Sequence, residues 1–437
     1  MQEYVSPNFP ELIGRDDSES IQNAVDFAAE AGVNKVVIPC LNRRTGNPVW
    51  IISRAILLPS DITVVLRNCR LRLEDGVYSN IFRNKNMYTP LSLTEKGEQK
   101  NIHIIGEGYA VLDGGKTNYL FETNLTEELS SNKNLIASLH ENEGIRINNL
   151  IIFHNVKNFS IENIEVKDQR WWAINLIHCS FGHISDIVSR ARNNIPNQDC
   201  VDIRRGCNNL SIERITGQSG DDLVAITALD CSDNRFDVEN KIPDVHDIVI
   251  RDVLGTSVRQ GIVVLRNQDD VKLYNVHIEN VIQSNLDDNN NLPYVTLRIG
   301  ENGYYRKHQS EMGATKNITV RNVISASDTA VMVGATLENV DFTNIQAIGS
   351  RWAFLSYGVK MKNVRINGLT YSLPYTKAES PAGGFLETNH FAFNGWMRAD
   401  DYIENLQISG ISSECENEKI RIDESVKNEI YVDGVKL

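Results

Sequence analysis

KNFSIENI, residues 157–164, is a phrase that the chain keeps repeating, and its recurrence decides the fold. Written as x-Asn-apolar-x-apolar-x-Asn-apolar, it returns as NNLSIERI (208–215), HDIVIRDV (246–253), KNITVRNV (316–323), ENVDFTNI (338–345), KNVRINGL (362–369) and ENLQISGI (404–411). Looser copies are GHISDI (182–187) and YNVHIENV (274–281). The central apolar residues are Ile161, Ile184, Ile212, Ile250, Ile278, Val320, Phe342, Ile366 and Ile408, spaced by 23, 28, 38, 28, 42, 22, 24 and 42 residues. The short spacings are one unit; the long ones are that unit plus a polar insertion, such as DCSDNRFDVENKIPD at 230–244. Apolar and polar residues alternate within each copy, which is the period of a strand. One such strand cannot bury its face alone, so the copies must stack into a continuous core. Asn at equivalent turn positions would bond the Asn one coil away, at about the 4.8 Å strand spacing. The pattern predicts an all-β fold, a right-handed parallel β-helix. A leucine-rich solenoid is the rival architecture, and its Leu-x-x-Leu-x-Leu signature is missing.

The start of the chain is different. DDSESIQNAVDFAAEAG (16–32) places Ile21, Ala24, Val25, Ala28 and Ala29 at helical spacing, with Gly32 as the C-cap. A helix over 15–34 would cover the open end of the coils, whose edge is otherwise exposed. KVVIP (35–39), ILLPSDITVVLRN (56–68) and NIHIIGEGYAVLDGG (101–115) read as strands of the first coils, spanning 35–115. The polar stretch 116–148 reads as a loop beside a cleft, 149–411 as the main coils and 412–437 as a C-terminal cap. With no low-complexity linker, 1–437 reads as a single domain.

At 437 residues the chain exceeds one compact core unless the fold grows by repetition. Its 41% hydrophobic and 23% charged residues exclude a disordered or collagen-like chain. The formal net charge of −13 argues against a nucleic-acid partner, whose footprint is basic. A local basic cleft in an acidic chain can still take an anionic sugar. No apolar run reaches the roughly eighteen residues of a membrane span. The seven cysteines (40, 69, 179, 200, 207, 231 and 415) are scattered, without the close pairs of a zinc site, and read as small buried hydrophobes. MQEYVSPNFP at the N-terminus has neither a basic n-region nor an apolar h-region. The expectation is a cytoplasmic protein, or a secreted one if the sequence begins after a removed leader. Stacked coils run as monomers or pack as trimers, and no segment selects between them.

The chemistry gathers in one window. Asn197-Gln198-Asp199 stands at the start of one strand (NQDCVDIR) and Gly220-Asp221-Asp222 at the start of the next (GDDLVAI), with Asp199 and Asp222 one coil of 23 residues apart. Equivalent positions on adjacent rungs bring carboxylates within several ångströms. Separations of about 6.5–9.5 Å suit an inverting glycosidase, where water fits between base and sugar. Crowded carboxylates raise one another's proton affinity, so one stays an acid while another serves as base. Strict alternation would send Asp221 and Asp222 to opposite faces, so a bulge or turn at Gly220 is expected. The remaining Asp-Asp pairs, at 16–17, 269–270, 287–288 and 400–401, read as solvated turns.

The run from about 148 to 228 resembles glycoside hydrolase family 28, the polygalacturonase family of the pectin-lyase-like β-helix superfamily. VKNFSIENIEVKDQRWWAINLIHC is similar to the family's strand pair around a Trp-containing segment. NQDCVDI resembles its Asn-Thr-Asp-Gly-(Ile/Phe)-Asp phrase and SGDDLVAI its Gly-Asp-Asp-Cys-(Ile/Val)-Ala-Ile phrase. SIQNAVDFAAEAG, KVVIP and GEGYAVLDGG are similar too, so the likeness covers most of 15–370. The resemblance implies that Asp221 is the general acid, that Asp199 and Asp222 activate the attacking water, and that Asn197 holds an aspartate or a substrate hydroxyl. Where the family offers Gly-His-Gly, this chain has Val258-Arg259-Gln260-Gly261; where the family offers Arg-Ile-Lys, it has Arg298-Ile299-Gly300. In the family that Arg/Lys pair grips the galacturonate carboxylate. Arg298 alone can still make a bidentate contact, and Arg259, Arg306 or Lys307 are candidates for the missing lysine.

Further substrate-contact candidates are Gln260, Arg192 just upstream of the Asp199 strand, and Tyr304 and Tyr305 as a sugar platform. Arg204 and Arg205 flank the same strand, and Trp171-Trp172 is either core or stacking face. His178, His183, His246 and His277 fall at turn or stack positions of the repeats, while His140 and His308 fall in loops. No EF-hand loop, phosphate loop or Gly-x-Ser-x-Gly elbow appears, so neither metal nor cofactor is expected. The expected partner is a pectic or related oligosaccharide or polysaccharide, cut by acid/base inversion. An exo mode on short chains is expected, since a leaderless protein meets imported oligomers. The alternatives are a uronate polysaccharide lyase, for which the Asp set has no role, and a non-catalytic carbohydrate-binding β-helix with a degraded site.

Overall fold

The computed structural model describes residues 3–77, 79–115, 149–191, 197–228, 236–258, 260–267, 271–284, 294–300, 310–356, 359–372, 391–393, 402–413, 420–422 and 428–436. It comprises two compact units, Met1–Asp202 with Phe236–Ile242, and Ile203–Arg235 with Pro243–Leu437. Each is built of parallel strands wound as a right-handed β-helix. The predicted loop 116–148 lies outside the described residues, as do Cys231, Cys415 and residues 230–235 of the polar insertion.

The residues aligned by the repeat are register partners. In the first unit Val36, Val64, Ile104, Ile161 and Ile184 pair in succession. In the second, Ile212, Ile250, Ile278, Val320, Phe342, Ile366 and Ile408 do the same, and Ile408 pairs onward with Val432. All of these but Val432 are buried. Each such side chain contributes about 1.5–3 kcal/mol on removal from water. The 42-residue step from Ile278 to Val320 pairs as directly as the 22-residue step to Phe342, so insertions leave the register intact.

The repeat's asparagines make the corners. Asn158 and Asn163 both lie in the left-handed region (φ +55° and +57°), and so do their counterparts throughout. This is why the buried set shifts phase across the second Asn, from Phe159 and Ile161 to Ile164 and Val166. Along the ladders each asparagine donates from Nδ2 to Oδ1 one rung earlier, whereas Asn163 donates to the Gly106 carbonyl. One ladder runs Asn405 to Asn363, Asn339, Asn317 and Asn275, at 2.9–3.4 Å, and ends on Asp247. A second runs Asn344, Asn322, Asn280 and Asp252, and in the first unit Asn158 donates to Asn101 and Asn101 to Asp61. Every ladder begins on an aspartate, because the first rung needs only an acceptor.

The helix spans Asp17–Ala31. Asp16 caps it by accepting from Glu19 N at 2.7 Å, and Gly32 ends it at φ +67°. Ile21, Ala24, Val25 and Ala28 are buried as expected, but Ala29 is exposed. It lies about 80° around the helix from Ile21, beyond the buried stripe. Polar side chains satisfy the open edge: Asp17 and Ser18 accept from Ile51 N and Ser53 N, and Gln22 exchanges two bonds with the Leu57 backbone. The helix therefore caps the strands with hydrogen bonds as well as with its apolar stripe.

A second sheet of short strands carries candidate site residues. In the second unit it runs Val224–Ala228, Gly261–Asn267, Val295–Ile299, Thr329–Val333 and Trp352–Ser356, each paired in parallel with the next. These strands are buried on both faces. Past residue 411, Asn428–Val432 adds a further parallel rung, and Val435–Lys436 folds back on it antiparallel.

Candidate functional site

Asp221 and Asp222 lie just before Val224–Ala228, past Gly220, in the irregular start that was expected there. Alternation therefore does not govern them. The Asp221 carbonyl accepts from the Ser219 hydroxyl at 2.7 Å and from the Ser257 hydroxyl of the next coil, and its side chain is half-buried. Asp222 is 1% exposed. Its Oδ1 accepts from Gly261 N at 3.0 Å and its Oδ2 from Arg266 Nη1 at 2.6 Å. Ser257 Oγ also receives Gln260 N at 3.2 Å, and Gln260 Oε1 accepts from Arg298 Nη1 at 3.4 Å. One hydrogen-bonded chain thus links Asp221, Ser257, Gln260 and Arg298, and Asp222 lies beside it, bonded to Gly261 N and Arg266.

Arg298 is positioned by register: it pairs with Val264 on one side and Met332 on the other. Its guanidinium stands 5.1 Å from the Tyr294 ring centroid and its Nη2 3.7 Å from Met332 Sδ. Beyond it Val295, Met332, Trp352 and Leu355 form an apolar cluster with Tyr294 against it.

Asn197 and Asp199 belong to the first unit. Asn197 adopts φ +57°, a turn conformation that asparagine tolerates. Asp199 is buried just before Val201–Arg204, and its carbonyl accepts from Ala173 N at 2.9 Å and Gln169 Nε2 at 3.0 Å. Gln198 returns the contact by donating to the Gln169 carbonyl at 2.5 Å, so a reciprocal amide pair pins this turn. The adjacent Cys200 thiol is pushed up to about 12 by burial, which leaves it inert.

Arg192, Arg259 and Tyr304 lie outside the described residues, as do Tyr305, Arg306, Lys307, His140 and His308. Arg204 and Arg205 are buried in the second unit. Trp171 is buried beneath the Arg170 guanidinium, 5.4 Å from its ring, with half-buried Trp172 edge-on to it. The histidines hold repeat positions as expected: His246 stacks on Tyr274 at 4.8 Å, and His277 meets Thr319 Oγ1 at 2.6 Å. Cys69, Cys179, Cys200 and Cys207 are buried, whereas Cys40 is exposed, because it follows the last residue of the Lys35–Pro39 strand. Among the described residues no three His, Cys, Asp or Glu side chains converge to hold a metal ion, and no helix is long and apolar enough to cross a membrane.

Sequence reasoning missed Arg266. The signal was present, because a lone charge in the apolar run GIVVLRN, on a strand buried on both faces, requires a partner. It also missed His154, whose ring is buried, with Nε2 2.7 Å from the Phe236 carbonyl and its proton affinity pushed down to about 4, chiefly by burial. Gly300 explains the lost lysine. Its φ is +82°, and a Cβ there would lie 2.3 Å from Ala335 Cβ and 2.5 Å from Ala335 N. No side chain fits at this position.

Residues 130–240 match the family model of Glycosyl hydrolases family 28, over the stretch that carries both aspartate phrases. No curated protein matches the sequence. Among solved structures, a hyperthermoactive exopolygalacturonase from Thermotoga maritima is 16% identical, with a TM-score of 0.56 over 100% of this chain and 93% of its own. A family 28 exopolygalacturonase from Yersinia enterocolitica is 15% identical, with a TM-score of 0.55 over 100% and 80%. A surface adhesin of Streptococcus pneumoniae is 12% identical, with a TM-score of 0.57 over 94% and 91%. At these identities the likeness establishes the β-helix, which enzymes and an adhesin share, and function has to be argued from the site.

Proposed function

We propose that this chain, whose residues 130–240 carry the pattern of glycoside hydrolase family 28, hydrolyses glycosidic bonds of pectic or related oligosaccharides. The observation that carries the reading is the buried Asp222 carboxylate, held as an acceptor at both oxygens by Gly261 N and Arg266, beside Asp221, with the Gln260–Arg298 contact adjoining Gly261. An ionised carboxylate only accepts, so Asp222 suits the role of orienting water and taking its proton. The half-buried Asp221 suits the acid that protonates the departing oxygen. Water adds at the anomeric carbon, its proton passes to the base, and the acid's proton goes to the leaving alcohol, inverting the configuration. Arg298 is the natural anchor for a uronate carboxylate, which its planar fork matches. An exo mode, as in the Thermotoga and Yersinia enzymes, is part of the proposal.

The test is product release from oligogalacturonates and from matched neutral oligosaccharides, for wild type, Asp221→Asn and Asp222→Asn. Cleavage of the uronates, with kcat lowered about 10³-fold in each variant, supports the reading. Single-residue products support exo action. Unsaturated product absorbing in the ultraviolet would instead make the protein a lyase, and turnover unchanged in both variants would end the assignment of these carboxylates.

A further inference from the structure

The clamp on Asp222 comes from one strand. Gly261, at the start of Gly261–Asn267, gives its N–H to Oδ1, and Arg266, five residues along, gives Nη1 to Oδ2. Contacts at both oxygens stop rotation of the carboxylate plane, while each oxygen keeps a lone pair that can accept a further hydrogen bond. The same strand aligns Val264 with Arg298, so the rung that fixes Asp222 also sets the distance to the anchor. The Arg266 side chain is 12% exposed and its partner 1%. At its level on the following rung stands Gly300, whose N–H donates to the Leu265 carbonyl at 2.7 Å and which offers no side chain to displace the guanidinium.

A buried ion pair is weak evidence for stability, because desolvating both groups offsets most of their attraction, and apolar residues of similar volume often serve as well. The pair therefore calls for a reason beyond holding two strands together, which the backbone pairing of Val224–Ala228 with Gly261–Asn267 already does. We propose that Arg266 is a positioning residue for hydrolysis: it fixes the plane of Asp222 so that the carboxylate meets the attacking water in one orientation. This rests on the catalytic role of Asp222 argued above. Arginine suits the task because its rigid fork orients a carboxylate, which a lysine ammonium, a point charge on a flexible stem, does poorly.

The experiment measures kcat and KM on short oligogalacturonates for wild type, Arg266→Lys, Arg266→Gln, Asp222→Asn and the double variant Asp222→Asn/Arg266→Gln, with thermal unfolding of each. Arg266→Gln is expected to lower kcat about 10²-fold while KM stays within about threefold, because the loss falls on the transition state. Arg266→Lys should recover about tenfold of that loss. The double variant should be no slower than Asp222→Asn alone, since a positioning residue has nothing left to position. Wild-type kcat in Arg266→Gln, a rise in KM without loss of kcat, or additive losses in the double variant would each overturn the proposal. An active wild type with an inactive Asp222→Asn and an unaffected Arg266→Gln removes this inference alone. A wild type that hydrolyses nothing removes the glycosidase reading and the role of Arg266 with it.

Discussion

Replacing Gly300 by lysine would restore the Arg-Ile-Lys phrase in sequence, and the structure predicts that it breaks the site. A residue with a side chain at φ +82° costs about 1–3 kcal/mol in backbone strain. Its Cβ would lie 2.3, 2.5 and 2.8 Å from the Cβ, N and Cα of Ala335, where ordinary contact begins near 3.5 Å. Two of those three atoms are backbone, so relief requires the neighbouring rung to move, at a further 1–3 kcal/mol or so. Gly300 N is bonded to Leu265 O and Gly334 N to Ile299 O, so the displacement reaches the strands bearing Arg266 and Arg298. The expected total is about 2–6 kcal/mol, and it arises at the first side-chain carbon. Gly300→Ala should therefore lower the unfolding temperature nearly as much as Gly300→Lys, and both should lose turnover on oligogalacturonates. The reasoning is refuted if Gly300→Lys unfolds at the wild-type temperature, or if it gains activity while Gly300→Ala loses it.

Two further outcomes follow from hydrogen-bonding and titrating groups away from the site. His154 takes its proton near pH 4 when folded and near 6.5 when unfolded, so its contribution to stability is complete above about pH 6.5 and is lost as pH falls toward 4. At 1.36 kcal/mol per unit this amounts to about 3 kcal/mol, and His154→Gln should flatten that part of the Tm–pH curve; an unchanged slope would refute the assignment. In the second ladder, Asn322→Asp sets an acceptor against Asn280 Oδ1, 2.9 Å away, and should cost about 1–2 kcal/mol, whereas Asp252→Asn keeps the acceptor that Asn280 needs and should be nearly neutral. Equal shifts in Tm for the two would show that the ladders have no direction.

The periodic part of the fold was readable because one constraint acts on every copy. Ile250 and Ile278 must stack to be buried, and Asn275 and Asn317 must turn the chain, so composition and spacing both betray them. The candidate site was readable only as a phrase. Asp221, Asp222 and the turn at Gly220 could be found, but not what holds that turn, because Ser257, whose hydroxyl bonds the Asp221 carbonyl, lies 36 residues downstream. Ala29 shows the same limit on a smaller scale, since an apolar residue at the margin of a helical stripe is buried or exposed according to what packs there. Arg266 was overlooked for a different reason. It stands one rung before Arg298, in the Gly261–Asn267 strand and beyond the motif residues 258–261.

That displacement is a general property of a stacked-rung site. Neighbours in space are separated by a whole coil in sequence: 39 residues from Asp222 to Gly261, 44 to Arg266, and 38 from Gln260 to Arg298. These intervals include insertions and vary freely, while the register that joins the strands does not. Side chains on adjacent rungs that face the same space are therefore interchangeable in a way that motif position conceals, and a charge lost from one rung can be supplied by the next. Gly300 and Arg266 have this relation, since Gly300 bonds to Leu265 and admits no side chain, while the arginine beside it reaches Asp222 at 2.6 Å. A family pattern read along the chain registers Gly300 as a loss. Across the rungs, the position beside that glycine already holds a cation, fixed on Asp222.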